Sequence, residues 1–418
     1  MPGAPCAPRP AAGSTMTERR ILFLQGPISP FFWRLGQALA ARGHIVSRIN
    51  VCLGDRIFWP GPATDYAGRL RDWPGFIADY LDRERITDIL LLGEQRPYHR
   101  IAIAAARQRG IQVAVTDFGY IRPDWIILER DGMNRDSHFP RDPAAIMELA
   151  RELPPVDWTT RYQDDFPTQA RWDMLFHLAN MAPWPFPHFE RFLKFHPIPT
   201  YIATGWHLLM RKLEGRRARS VLQAFPSSAP FWIYAMQMET DYSIRAYSPY
   251  PDMDTPIEEA IQAFAQGAPA DSHLIVKVHP LDPGLKRWRF RIGRIAARHG
   301  VAGRVHYFGT GRLDDLIVAS QGVITVNSTV GIRALQLGQR VHAQGEAIYR
   351  IQGLSHLGRL RDFWTSPLPD PALADAFLRC LAHCLHVRGV YYAEPGLTVA
   401  VEGAAERIDR DMLNQPMV

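Results

Sequence analysis

Short buried-strand patterns alternate with capped helical patterns in two separate stretches of the chain, and this alternation is the feature that most limits the fold. In the first stretch, two helical patterns end at Gly43 and Gly110, where glycine can adopt the left-handed cap conformation. Strands that are separated by such helices indicate βαβ units and a parallel sheet. The strand patterns of this stretch cover residues 20–24, 44–51, 89–92 and 111–115.

The alternation restarts after a segment rich in proline and aromatic residues. Proline at the density found in residues 182–200 blocks regular structure and marks a boundary. No glycine-rich dinucleotide fingerprint follows any strand pattern. We therefore predict an α/β fold with two Rossmann-like domains that face a cleft, and a helical C-terminal tail. The strand patterns of the second stretch cover residues 231–238, 274–278, 305–308 and 322–326.

Five segments follow from these patterns. The first is expected to be a disordered tail, after which Met16 is an alternative start, and the last a set of C-terminal helices. Between them we expect an N-terminal α/β domain, a proline-rich linker with a basic helix over about residues 201–224, and a second α/β domain. The boundaries are residues 1–18, 19–181, 182–230, 231–369 and 370–418.

Composition limits the partners and the compartment. The net charge of +6 is concentrated in basic blocks with interleaved apolar residues, at 210–219 and 286–294. A solvated helix face is one explanation, and contact with anionic lipid or an acidic polymer is another. Signatures of nucleic-acid binding are missing, so nucleic acid is not expected as a partner. Four scattered cysteines and no run of eighteen apolar residues fit a reducing cytoplasm and no membrane span.

Polar residues stand where three of the strand patterns end, which is where open parallel sheets bind ligands. The first set follows residues 111–115: Asp117 precedes a turn at Gly119, and Arg122 follows it. A carboxylate at this place can serve as a nucleophile or a base, although it could also only cap the turn.

In the second set, Lys277 and His279 alternate along a buried strand that Pro280 ends. Two such groups on one face suit a diphosphate or a phosphodiester.

The third set lies at a predicted helix start, where Asn327, Ser328 and Thr329 follow a strand. Free backbone N–H groups and the helix dipole favour an anion there, and ordinary helix capping is compatible with that role.

A fourth segment carries Asp241, Arg245 and Ser248. The pair Asp252 and Asp254 has a spacing that could hold Mg²⁺, but it lies in a proline-rich loop, so we expect no metal and no cofactor.

In this order the segments resemble the KpsS/LipB-type capsule polysaccharide biosynthesis and export proteins, over roughly residues 20 to 360. The combination carries the resemblance, since each segment alone is common. The segments are Gln25-Gly26-Pro-Ile-Ser-Pro-Phe-Phe, Gly119-Tyr-Ile-Arg122 with the residues up to Glu129, Asp241-Tyr-Ser-Ile-Arg245-Ala-Tyr-Ser248, Lys277-Val-His279-Pro280 and Asn327-Ser328-Thr329-Val-Gly331.

The resemblance implies a GT-B-like β-Kdo transferase, in which the N-terminal domain is the acceptor side and the C-terminal α/β domain binds the CMP-sugar donor. Such an enzyme transfers Kdo from CMP-Kdo to a phosphatidylglycerol-type lipid during synthesis of the capsule linker. The resemblance also implies that the transfer retains the configuration of the sugar. It also implies a cytoplasmic place at the inner membrane, peripheral membrane contact, and capsule-assembly glycosyltransferases as partners. Related CMP-sugar transferases share an acidic pair before glycine, a His-Pro and a Ser/Thr pair. The second and third are present here, whereas the first is altered to Asp117-Phe118-Gly119.

Roles follow from that resemblance. Lys277, His279, Ser328 and Thr329 are expected to hold the CMP phosphate, and Arg122 or Arg245 the sugar carboxylate. The carboxylate that acts on the sugar is Asp117, or else Asp241 or Glu129. Two other functions stay open: a non-catalytic protein that binds or exports finished polysaccharide, and a transferase for another CMP-sugar or for a UDP-sugar.

Overall fold

The computed structural model describes residues 18–182, 184–190, 199–201, 203–205, 229–239, 241–282 and 284–417. Within them, two sheets form the cores of two α/β domains. The expected α/β fold with two Rossmann-like domains is confirmed. The disordered tail expected at 1–18, apart from Glu18, and most of the basic helix expected over 201–224 lie outside the described residues.

The first sheet has seven strands in the order β12-β6-β5-β4-β1-β2-β3. Strands β1 to β5 are parallel, as the alternation predicts, whereas β6 pairs antiparallel with β5. The strands are β1 (Arg20–Phe23), β2 (Ile45–Asn50), β3 (Thr64–Asp65), β4 (Asp88–Leu92), β5 (Gln112–Phe118) and β6 (Trp125–Arg130). The helices of this part are α1 (Phe31–Ala41), α2 (Leu53–Ile57), α3 (Trp73–Arg83), α4 (Pro97–Arg107), α5 (Pro143–Ala150) and α6 (Phe166–Ala179).

The second sheet is fully parallel, with five strands in the order β11-β10-β7-β8-β9. Its central strand β7 is buried along its whole length, as expected of a parallel strand covered on both faces. The strands are β7 (Phe231–Ala235), β8 (His273–Lys277), β9 (Val305–Phe308), β10 (Val323–Thr325) and β11 (Val341–Ala343). The helices are α7 (Tyr242–Ala246), α8 (Asp254–Gly267), α9 (Trp288–Arg298), α10 (Leu313–Ala319) and α11 (Val330–Gln336).

The C-terminal segment is helical, as predicted, but it returns to the first domain. Its helix α12 (Pro371–Cys380) packs against α5, and α13 (Gly396–Asp409) packs against α1. Between them, β12 (His386–Arg388) pairs antiparallel with β6 and becomes the edge of the first sheet. The chain therefore joins the two domains twice, and residues near 391 can support the end of β5.

Direct contacts hold the carboxyl-end sides of the two domains together. The side chain of Gln95, which follows β4, donates to the Tyr247 hydroxyl at 3.0 Å. Arg141 donates from Nη1 to the carbonyl oxygens of Ala347 and Ile348, at 2.8 and 2.9 Å. Gln95 closely follows the parallel strand β4, so the end of that strand borders the cleft between the domains.

Candidate active site

Asp117 and Arg122 lie at the end of β5 on the first-domain side of the cleft. The chain turns back sharply between β5 and β6, and the Gly119 amide donates to the Trp125 carbonyl oxygen at 2.9 Å. A Cβ at Gly119 would lie 2.4 Å from that oxygen, so only glycine fits this turn. The turn brings Arg122 close enough to Asp117 for its charge to act on that carboxylate.

The Asp117 carboxylate is half-buried and polarised by its surroundings. Its Oδ1 accepts a hydrogen bond from the Phe118 amide at 2.7 Å. Burial raises the pKa of Asp117 to about 6, the Phe118 amide and Arg122 oppose that shift, and the negative charge of Asp241 adds to it. Asp117 is therefore mainly ionised at pH 7, but it is more basic than an ordinary aspartate and better suited to bond formation or proton transfer.

Phe118, the last residue of β5, takes part in an aromatic cluster. The Arg122 guanidinium carbon lies 5.1 Å from the centre of the Phe118 ring, in a cation–π contact. Phe118 also packs on Tyr391 and Tyr392, with ring centres 5.4 and 6.2 Å apart. The Tyr391 hydroxyl donates to the Asp117 carbonyl oxygen at 2.9 Å. Phe118 thus helps to position the Arg122 guanidinium. Tyr391 and Tyr392 of the C-terminal segment stabilise the end of β5.

His279 and Lys277 approach the same cleft from the end of β8. His279 is half-buried, and burial, Arg122 and Lys277 together lower its pKa to about 4, so it is neutral at pH 7. Arg122 belongs to the first domain, and its effect on His279 places the two side chains across the cleft from each other. Lys277 is buried, and its Nζ donates to the Val278 carbonyl oxygen at 3.1 Å. Pro280, which follows, is exposed beyond the end of the strand.

Asp241 lies among these groups, but its side chain also has a structural role. Its Oδ1 accepts from the Ser243 amide at 2.9 Å and caps α7, and its Oδ2 accepts from Gln237 at 3.3 Å. Its charge still acts on Asp117, Arg122 and His279. The structure thus gathers five predicted site residues into one cluster: Asp117, Arg122, Asp241, Lys277 and His279.

Asn327 is buried and makes its hydrogen bonds inside the protein. Its Nδ2 donates to the Ser243 carbonyl oxygen at 2.8 Å, and its Oδ1 accepts from Gln237 at 2.7 Å. Ser328 and Thr329 are partly exposed at the start of α11, where Ser328 Oγ accepts from the Val330 amide at 3.2 Å. Asn327 therefore orders the strand end, and the two hydroxyl residues are the ones that reach its surface.

The other predicted binding residues divide into supports and surface groups. Ser248 Oγ donates to the Ile244 carbonyl oxygen at 2.5 Å, and Arg245 is exposed and is not among the charges that shift the pKa of His279. Gln25 is buried and donates to Asp55 Oδ1 at 3.2 Å. A Cβ at Gly26 would lie 2.3 Å from the Phe32 ring, so this glycine permits the tight turn after β1.

Glu129 is fully buried in β6, where its Oε2 accepts from the Ser137 hydroxyl at 2.5 Å. Burial raises its pKa to about 8, so it is mainly protonated at pH 7. In this position it has no access to the cleft and cannot contact a sugar. The structure therefore leaves Asp117 and Asp241 as the predicted acids that border the cleft.

Sequence reasoning missed Glu94, which lies beside Asp117. Glu94 follows β4 and is buried, and burial together with the negative charges of Asp117 and Asp136 raises its pKa to about 7. A Cβ at the preceding Gly93 would lie 3.7 Å from Asp117 Oδ2, which shows how close this turn comes. The signal was present, because Gly93-Glu94 ends a run of three leucines in the same way that Asp117 ends β5.

The acidic pair at Asp252 and Asp254 joins Glu239 in a group whose carboxylate oxygens lie close enough to hold a cation. A cation from the chain is already there, because Lys286 Nζ lies 2.8 Å from Glu239 Oε1 and forms an ion pair with Asp254. Arg291 Nη1 is also 2.6 Å from Asp254 Oδ1. The lysine supplies the positive charge that a divalent metal would otherwise bring.

Replacing this lysine tests that interpretation. We expect Lys286→Met to lower the melting temperature, because it leaves buried Glu239 without its ion pair, and we expect Mg²⁺ or Ca²⁺ to restore part of the loss. Thermal unfolding with each cation and with EDTA measures this. The matched control is Arg298→Gln, which loses an exposed ion pair to Glu258 and should gain nothing from the cations. Equal stabilisation of the unaltered protein by Mg²⁺ would contradict the assignment.

The fold and this cluster define a two-domain α/β protein whose cleft presents a carboxylate from one domain and cationic and imidazole groups from the other. A family model described as "Capsule polysaccharide biosynthesis protein" matches residues 87–392. The chain belongs to this family, and the resemblance predicted from the sequence is confirmed.

Individual relatives agree with that assignment. The Capsule polysaccharide export protein KpsS of Escherichia coli is 28% identical over 387 residues, which cover 90% of this chain and 98% of that protein. The Capsule polysaccharide modification protein LipB of Neisseria meningitidis serogroup A is also 28% identical, over 90% of this chain and 93% of that protein. Among solved structures, Thermosulfurimonas dismutans KpsC, beta Kdo 2,7 transferase, aligns with a TM-score of 0.46 and 14% identity, covering 94% and 99% of the two chains.

Proposed function

We propose that this protein is a retaining glycosyltransferase of capsule biosynthesis that transfers Kdo from CMP-Kdo to a phosphatidylglycerol-type lipid at the cytoplasmic face of the inner membrane. The observation that carries the proposal is the apposition of Asp117 and Arg122 from one domain with His279 and Lys277 from the other. Membership of the capsule biosynthesis family supports it.

The donor has two negative groups, and the cleft offers separate partners for them. Arg122, whose guanidinium makes a cation–π contact with Phe118, suits the planar carboxylate of the sugar. His279 is the partner for the CMP phosphate, together with the Ser328 and Thr329 hydroxyls. A bound phosphate would raise the pKa of His279 from about 4, because it places a negative charge beside the ring. The imidazole would then bind a proton more readily when the donor is present than when the cleft is empty.

The transfer follows in two steps. Asp117 attacks the anomeric carbon as the bond to the phosphate oxygen breaks, and CMP leaves with the electron pair, stabilised by His279. The acceptor hydroxyl then displaces Asp117 at the same carbon and releases its proton, so that the configuration is retained.

Among the described residues, none of the helices has the length and apolar character needed to cross a bilayer. In this proposal, a lipid acceptor would reach the cleft from a membrane surface.

Release of CMP tests the function directly. Purified protein with CMP-Kdo and a short-chain phosphatidylglycerol acceptor should release CMP and form a Kdo-lipid product, both followed by mass spectrometry. We expect CMP to raise the melting temperature, and UDP and GDP to have little effect. A protein that binds capsule polysaccharide but releases no CMP would instead support the export role named for the E. coli relative.

His279→Ala tests the phosphate contact. We expect it to weaken CMP affinity by about 10- to 150-fold, since one hydrogen bond to a charged group contributes roughly 1.5 to 3 kcal/mol. Isothermal titration with CMP measures the loss. The matched control is His299→Ala, on the far end of α9, which should bind CMP normally. Equal CMP affinity in both variants would place the phosphate elsewhere.

A further inference from the structure

Helix α9, which follows β8, carries an exposed aromatic side chain among arginines. Phe290 is 63% exposed and Leu285, just before the helix, is 44% exposed, whereas Trp288 is buried and anchors the helix. Arg287, Arg289 and Arg294 are all exposed around Phe290. Exposed apolar side chains that are grouped, as Phe290 and Leu285 are here, are typical of surfaces that contact a partner or a membrane.

The arginines of this surface differ from the others on the same helix. Arg291 pairs with Asp254 at 2.6 Å and Arg298 with Glu258 at 3.1 Å. Among the described residues, no carboxylate pairs with Arg287, Arg289 or Arg294. Instead, the guanidinium carbon of Arg289 lies 4.9 Å from the Tyr307 ring centre, and that of Arg294 lies 5.8 Å from the Phe290 ring centre. Their charge is therefore left available to an external anion.

These residues border one open groove. It has a volume of about 670 Å³ and is lined by Arg287, Arg289, Phe290, Arg294 and Tyr307, among others. Its lining combines three arginines with the aromatic side chains of Trp288, Phe290 and Tyr307. A groove with this pattern matches the boundary of an anionic bilayer, where phosphates lie above acyl chains.

The segment that joins the exposed surface of α9 to His279 of the candidate active site is held by hydrogen bonds. The loop from His279 to α9 is held at both ends, because the Leu281 amide donates to His279 Nδ1 at 3.2 Å and Trp288 Nε1 donates to Asp282 Oδ2 at 3.3 Å. Since α9 begins where the loop from β8 ends, its first turn lies on the cleft side of the second sheet. Phe290 belongs to that first turn, so it lies at the end of α9 that is nearer to the cleft.

We propose that this surface docks the protein on a bilayer that contains anionic phospholipid, with Phe290 and Leu285 inserted among the lipids and Arg287, Arg289 and Arg294 on the phosphates. A soluble acidic polymer would use the arginines but would not account for two exposed apolar side chains. This inference rests on the proposed function, because docking on a bilayer would present a lipid acceptor to the cleft.

Vesicle sedimentation of the full chain tests the docking, without donor or acceptor. The probes are vesicles of phosphatidylglycerol and phosphatidylcholine in equal parts, and of phosphatidylcholine alone. We expect binding to the first only, weakened by salt. The double variant Arg289→Gln with Arg294→Gln should bind about 25-fold more weakly, roughly fivefold for each arginine. Phe290→Ser should bind about tenfold more weakly.

The matched control removes the same charge from the same helix. Arg291→Gln with Arg298→Gln should change vesicle binding less than about twofold, because these guanidiniums are already paired. Circular dichroism and CMP-induced stabilisation check that each variant is folded. Equal losses in both double variants, or none in either, would overturn the proposal, as would binding of dextran sulfate in place of vesicles. Failure of CMP release with docking intact would instead count against the transferase alone.

Discussion

Asp117→Asn is expected to lower the rate of Kdo transfer by roughly 10³-fold or more while CMP still binds within about twofold of its original affinity. Asparagine keeps the size of the side chain and can still accept the hydrogen bond from the Phe118 amide. It cannot form the bond to the anomeric carbon or carry the charge that stabilises an oxocarbenium-like state. Single-turnover assays with CMP-Kdo, and titration with CMP, separate the two effects.

Asp241→Asn is the matched control for that result. Asparagine is as good a helix cap as aspartate, so the variant should keep the cap on the Ser243 amide and fold normally. We expect transfer to fall by about tenfold at most, through the lost charge beside Asp117 and Arg122. Full activity of Asp117→Asn, combined with an inactive Asp241→Asn, would move the nucleophile to Asp241.

The acidity of Asp117 adds a second signature. Because only the ionised carboxylate attacks, the rate should fall tenfold for each pH unit below the pKa of about 6. Asp241→Asn should move this limb toward lower pH, since it removes a negative charge that raises the pKa of Asp117. The rate of transfer from pH 4.5 to 8 measures both. If the acidic fall in the transfer rate of Asp241→Asn stays near pH 6, the charge of Asp241 does not influence the pKa of Asp117.

Strand-end reasoning located both sides of the cleft because the rule behind it is geometric. The carboxyl ends of parallel strands lie at the same edge of a sheet, so Asp117 near the end of β5 and His279 after β8 had to lie at the carboxyl edges of their sheets. The same rule could have found Glu94 after β4. It could not show that Asn327 and Gln25 already have partners inside the protein, because those partners come from other loops.

The remaining parts of the site depend on contacts that are distant along the chain. Strand β12 pairs with β6 although more than 250 residues separate them, and no local pattern in residues 386–388 indicates that partner. The Tyr391 hydroxyl reaches the Asp117 carbonyl oxygen only because of this pairing. The use of Phe118 as a support for Arg122 is equally invisible in the sequence, where it is only a departure from an acidic pair.

The buried carboxyl groups Glu94 and Glu129 should make the stability of the protein fall as pH rises. Their folded-state pKa values of about 7 and 8 exceed the ordinary value of 4.5, so between these values the folded protein keeps protons that the unfolded chain releases. Their contribution is complete below the unfolded-state pKa and is lost as pH rises through the folded-state pKa. The loss amounts to about 1.4 kcal/mol per pH unit for each group.

Glu129→Gln should therefore flatten the decline in the free energy of unfolding between pH 5 and 8 and make the protein more stable than the original at pH 8, by a few kcal/mol. Glutamine can still accept the Ser137 hydrogen bond, and it has no charge to bury. Urea unfolding at several pH values gives the slopes. Glu148→Gln, on the exposed surface of α5, serves as the control and should keep the original slope. Equal slopes in all three proteins would mean that Glu129 ionises in the folded state as readily as an exposed glutamate, with water or a cation beside it.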